Sequence, residues 1–164
     1  MSKSALQRTD EAPQSPRDPL SAVLSELASM KVSHRLNVIA AHGLLELLVN
    51  ALVKANCKHG KNISRHRRDF SHSTKLVILH ELGLLADWEF QQLDWFRKLR
   101  NRAAHEPLFA IHADDLILFR QTDYSTPDAF HELCVDLVAG FWNRHVDFFG
   151  PKFMPDVWTA SQQT

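Results

Sequence analysis

The chain has 164 residues, 45% apolar and 23% charged, with nineteen basic side chains balancing nineteen acidic ones. This length suits one domain, and roughly two-thirds of the unfolded surface can be buried, so a core needs no metal or disulfide to hold it. Zero net charge excludes a protein that coats nucleic acid over its whole surface; any such contact must be local.

Two cysteines, Cys57 and Cys134, cannot make a disulfide framework, and the first twenty residues lack the apolar stretch of a signal peptide. A cytoplasmic chain with reduced thiols is therefore expected. The most apolar stretch, residues 36–55, carries Asn37, His42, Glu46 and Asn50. Each would be costly at mid-bilayer, so the stretch reads as a core helix and no membrane contact is expected.

In chain order, residues 1–18 are polar with two prolines and read as a disordered leader. Asp18-Pro19 places a cap and a first-position proline before a short helix over 20–30. Ser33 then caps a long helix to about Lys54, in which Leu36, Ile39, Gly43, Leu47 and Ala51 recur at helical spacing. Val38, Leu45, Leu48 and Leu52 widen that stripe, which predicts the most buried helix of the fold. A polar segment over 57–71 separates it from a third helix over 72–82, closed by Gly83.

Asp87 is expected to cap a fourth helix over 88–105, stopped by Pro107. One helical turn is expected over 114–119. Ser125 or Thr126, followed by Pro127, opens a fifth helix with Phe130, Leu133, Leu137 and Phe141 at helical intervals. Gly150-Pro151 is expected to end it. No repeat and no useful β-alternation occurs, so the fold class is all-α: a single bundle of about five helices over 19–150, with a loose tail over 151–164.

The fourth helix carries the chemistry. At about 100° per residue, Leu93, Phe96, Leu99 and Ala103 form its core face. Arg100 lies at the boundary, while Asp94, Lys98, Asn101 and His105 form a polar line roughly opposite the core. One reading is a solvated face with an Asp94–Lys98 pair and a histidine favoured by the helix dipole.

The second reading rests on the string Leu99-Arg100-Asn101-Arg102-Ala103-Ala104-His105-Glu106-Pro107. It resembles the R-x4-H signature of the HEPN superfamily, in the form with Asn after the Arg. Residues 76–94 (helix, Gly83, Leu84-Leu85, acidic cap, next helix) resemble the segment before that motif in bacterial HEPN domains of the mannitol-repressor type. The helix bearing Glu46 and Asn50 resembles their first core helix.

The resemblance implies a homodimer that binds RNA and cleaves it without metal or other cofactor, in the manner of a toxin with a cognate antitoxin. Arg100, Asn101 and His105 would be its catalytic residues. Imidazole transfers protons near neutrality, guanidinium stabilises charge on phosphorane oxygens, and Asn101 orients His105 or holds phosphate. The alternative it implies is a non-enzymatic regulatory or protein-interaction module.

On an ideal helix Arg100 and His105 point about 140° apart. To act on one phosphate, the last turn must distort before Pro107, the arginine must wrap round, or a second subunit must supply a partner.

Elsewhere, Lys58, Lys61, Arg65, Arg67 and Arg68 make a basic run able to neutralise RNA phosphates, or simply a solvated loop. No aromatic residue is interleaved to stack bases. The histidines show no metal-binding spacing; His131 and Cys134 share a helix face, but two ligands make no site. Glu46 needs a partner, which is either His42 one turn earlier or the motif helix.

Overall fold

The computed structural model describes residues 33–66, 68–119, 124 and 126–155. The expected leader and the short helix over 20–30 lie outside them, as does Ser125. Among the described residues the fold is all-helical, with no strand.

Ser33 opens α1, His34–Asn56, its side chain accepting from the Leu36 amide. This helix is the centre of the fold, packing against α2 (Gly60–Arg65), α3 (His72–Glu81), α4 (Asp87–His105) and α5 (Pro127–Arg144). It is long and apolar enough to cross a membrane by composition, but 61% of its most apolar window is buried inside the bundle.

Because α1 carries apolar residues on both its inner and its outer face, spacing does not choose between them. The neighbours do. Val38, Ala41, Leu45, Leu48, Val49 and Leu52 are buried, whereas Leu36, Ile39 and Leu47 are 46, 41 and 49% exposed. The expected stripe of Leu36, Ile39, Gly43 and Leu47 is thus the outer face, and only Ala51 of that set is buried.

The polar segment after α1 contains the unpredicted helix α2. Gly60 permits it: a Cβ there would overlap the Val53 carbonyl oxygen and lie 2.7 Å from Lys54 Cα. Chain closure after α3 is as expected, with Gly83 at φ 69° and Leu84 N donating to Leu79 O at 2.9 Å.

The start of α4 corrects an expectation. Asp87 is the first helical residue rather than its cap. Glu89 satisfies the helix entrance, accepting from Ala86 N at 2.9 Å, while Asp87 pairs with His80 Nε2 at 2.8 Å. The core face of α4 is as read: Leu93, Phe96, Leu99 and Ala103 are all buried.

Beyond α4, Arg102 organises the connection. Its guanidinium bonds Glu106 at 2.9 Å and pairs with Asp115, holding the 3-10 segment Ala113–Phe119 against the helix. Thr126 then caps α5, accepting from Ala129 N at 3.3 Å, with Pro127 in the first turn.

The expected stop at Gly150-Pro151 is also corrected. α5 ends at Arg144, and α6, Val146–Phe153, runs through Pro151. Aromatic packing holds this element: Trp142 stacks on Phe149 at 5.3 Å, and Phe153 lies 6.0 Å from Phe149. Pro151 has no amide to donate to Asp147 O, so the helix runs through it with one hydrogen bond fewer. Residues 151–153 of the expected tail are therefore helical.

Candidate functional site

Along α4, Arg97, Arg100 and Asn101 share one flank, between the buried face and the solvated one. That flank meets α1 at His42 and Glu46, and the start of α3 at His72, Ser73 and Lys75. With Phe70 and Ser71 from the preceding loop, these residues enclose a cavity of about 300 Å³.

Its inner residues are unusual for a helical core. Lys75 is 1% exposed and His42 is 4% exposed. Both Lys75 and Glu46 are engaged within the fold. The His42 and His72 rings lie 4.7 Å apart, tilted by 56°. His42 Nε2 and His72 Nδ1 are buried without a hydrogen-bond partner.

Burial pushes the His42 imidazole down to about 4, helped by His72 and Arg100 and opposed by Glu46. Burial likewise pushes His72 down to about 4, followed by the charges of Lys75, Arg97 and Arg100. Both rings are therefore neutral at pH 7, and each can offer either a proton or a lone pair.

The arginines differ in their commitments. Arg97 binds Asp94 through Nε at 2.9 Å and Nη2 at 2.7 Å, and Lys98 reaches the same carboxylate at 2.8 Å. Burial alone would raise the Asp94 carboxyl, but the Lys98 and Arg97 bonds outweigh it and hold it low. Arg100 makes one long bond, Nη1 to Asn101 Oδ1 at 3.3 Å. The Asp94–Lys98 pair read from the sequence is thus formed, as part of a three-member cluster.

Arg100 and Asn101 line one cavity; His105 is not among its lining residues. His105 is exposed in the last turn of an α-helix that stays regular to its end, so no distortion before Pro107 turns it toward Arg100. Instead Arg35 closes that end, donating to Ala103 O at 2.7 Å, Glu106 O at 2.6 Å and Pro107 O at 3.0 Å. These bonds satisfy carbonyls that the helix leaves without partners.

The basic run divides. Lys58 and Lys61 line a second, more open cavity of about 330 Å³ at the α1–α2 junction, with Lys54, Cys57, His59, Gly60 and Asn62. Arg65 and Arg68 are exposed, and Arg67 lies outside the described residues. Phe70 and Ser71, which follow the run in sequence, line the first cavity.

Other candidates have structural roles. His131 Nδ1 bonds Asn37 Oδ1 at 2.9 Å, joining α1 to α5 in the core. Cys134 is buried, which pushes its thiol well above the usual range. No group of three potential metal ligands comes together among the described residues. Glu46, left open between two partners, lies beside both: it lines the cavity with His42 and with Arg97 and Arg100.

Sequence reasoning did not anticipate His72, Lys75 or Arg97 at this site. Arg97 stands one turn before Arg100, a spacing that places the two on one flank. Lys75, bordering the apolar run Leu76 to Leu79, was the other available signal, since such a residue must be paired if buried.

Comparisons with protein-family models, with curated proteins and with solved structures find no match.

Proposed function

We propose that this chain is an RNA-binding domain of HEPN type, working as a homodimer in the cytoplasm. Arg100 and Asn101 hold phosphate, and Lys58, Lys61, Arg65 and Arg68 follow the strand beyond the cavity. One observation carries the reading: Arg100 and Asn101 line the same cavity as Arg97 and Lys75, in a chain whose overall charge is balanced. Cations concentrated at one concave place are what local phosphate recognition needs.

The exposed stripe of Leu36, Ile39 and Leu47 supports the dimer. Gly43 stands within it, open on its Cβ side, so a second helix can approach closely. In the enzymatic version, His105 acts as the proton-transfer group on RNA held by the partner's Arg100. The exclusion of His105 from its own chain's cavity favours the second version, a regulatory module that binds without cutting.

The test compares wild type, Arg100→Ala and His105→Ala for binding of a single-stranded RNA and for total-RNA integrity in induced cells. RNA binding lost in Arg100→Ala alone, with RNA intact throughout, supports the binding module. Fragmentation by wild type but not by His105→Ala supports the endonuclease. No RNA binding by folded wild type overturns both. Light scattering of Ile39→Asp/Leu47→Asp tests the dimer: a shift to monomer supports it, and a monomeric wild type removes it.

A further inference from the structure

The cavity between α1, α3 and α4 is more highly charged than backbone tracking requires. Lys75, Arg97 and Arg100 line it together with Glu46; counting Asp94 and Lys98, which Asp94 joins to Arg97, the cluster keeps an excess of two positive charges. Its floor includes His42, nearly inaccessible to solvent, with an Nε2 that has no partner. His72 adds a second orphaned nitrogen, Nδ1, from the first residue of α3. That helix start also presents its positive dipole end here, beside Ser71 and Ser73.

We propose that this cavity takes the terminal phosphate monoester of an RNA strand, an inference that rests on the RNA-binding reading above. An internal phosphodiester carries one charge and a nucleoside on each side. A volume of about 300 Å³ has room for a phosphate and its sugar. A monoester carries about −1.5 to −2 charge at pH 7 and three strong acceptor oxygens. Those match the excess of two positive charges and the donors on offer: the Arg100 guanidinium, two neutral imidazoles and the start of α3. His42 Nε2 and His72 Nδ1 lie unpaired beside the cavity, and a small polar ligand that reached them would offset the cost of leaving them without partners. A strand end does so, while the basic run at Lys58 and Lys61 binds the nucleotides that follow.

The experiment measures binding of one single-stranded RNA sequence in three forms: 5′-phosphorylated, 3′-phosphorylated and hydroxyl-ended, at one salt concentration. The expected result is that one phosphorylated end binds about tenfold tighter than the hydroxyl-ended strand, a difference expected of a charge-assisted site. In His72→Asn that ratio falls toward one, and inorganic phosphate competes with the preference. Equal binding of all three forms overturns the proposal and leaves the RNA-binding reading standing. If no RNA binds, inorganic phosphate is titrated while the His42 and His72 ring protons are followed by NMR. Saturable shifts on both rings then support a phosphate-monoester site for a small molecule and sink the RNA reading; unmoved rings overturn both. The NMR arm uses wild-type protein, so a variant that fails to fold does not decide the matter.

Discussion

Arg35 and Ala103 stand 68 residues apart in sequence, yet the Arg35 guanidinium donates to the Ala103 carbonyl oxygen at 2.7 Å. The same side chain reaches Glu106 O, so α1 ties off the end of the motif helix. The backbone of the turn that carries His105 is therefore held from another helix. Arg35→Met keeps the stem and deletes the donors. Hydrogen bonds from charged groups are worth about 1.5–3 kcal/mol each, so a loss of about 2 kcal/mol is expected in urea unfolding. Amide exchange should also accelerate at Glu106, whose N–H closes the last turn onto Arg102 O at 2.8 Å. An unchanged midpoint would show that solvent replaces Arg35 at no cost.

The His42–His72 pair makes stability depend on pH. Both rings titrate near 4 in the fold, below their ordinary value of 6.5. The unfolded chain therefore binds more protons than the folded one between those values, and stability rises with pH across that window. The contribution is fully present above about 6.5 and is lost as pH falls toward 4. Denaturant midpoints recorded at several pH values from 7 to 4.5 should fall for wild type. A His42→Phe/His72→Asn protein should show a visibly shallower slope. Parallel slopes for the two proteins would mean that these rings are already charged in the folded state.

Asn37 and His131 form a buried hydrogen bond at 2.9 Å between α1 and α5. Removing one partner strands the other in the core, which costs about 1–3 kcal/mol. Asn37→Leu is expected to destabilise within that range. The double variant Asn37→Leu/His131→Leu should lose less than the sum of the singles, because no orphan remains. Strict additivity in the cycle would show that the bond contributes nothing specific.

Two glycines are expected to respond oppositely to alanine. At Gly60 the new methyl would meet the backbone of Val53 and Lys54, which cannot move aside as a side chain does. The expected loss is about 1–3 kcal/mol, as for overpacking elsewhere. At Gly43, inside α1, a Cβ meets nothing within 4 Å. There the gain in helix propensity should stabilise the isolated chain by about 0.5–1 kcal/mol. Thermal melts of the two variants side by side check the contrast, and a tolerated Gly60→Ala would refute the close α1–α2 approach.

Much of the fold follows from local chemistry and was legible residue by residue. Ser33 and Thr126 have oxygens that accept from helix-entry amides, Gly83 takes the left-handed backbone, and Leu93, Phe96, Leu99 and Ala103 repeat at the helical period. These signals need no partner to be read. The ends that misled did so for a tertiary reason. Asp87 has capping chemistry, but His80 claims its carboxylate and Glu89 fills the cap role. Gly150-Pro151 has breaker chemistry, but the aromatic cluster around Trp142 and Phe149 keeps the chain helical through it.

The candidate site divides along the same line. The sequence by itself determined that Arg100 and Asn101 adjoin on one helix and that His105 follows in its last turn, because helical spacing is fixed by backbone hydrogen bonds. It also determined that Glu46 needed a partner. Only the tertiary structure decided which flank of α4 would be enclosed, because α1 carries apolar residues on opposite faces and periodicity cannot choose between them. Packing against α4 and α5 turned Leu36, Ile39 and Leu47 outward and brought His42 and Glu46 to Arg97 and Arg100. It left His105 outside that cavity. The same packing carried His72 and Lys75 in from a separate helix, a meeting that depends on burial of remote apolar surface rather than on any local pattern.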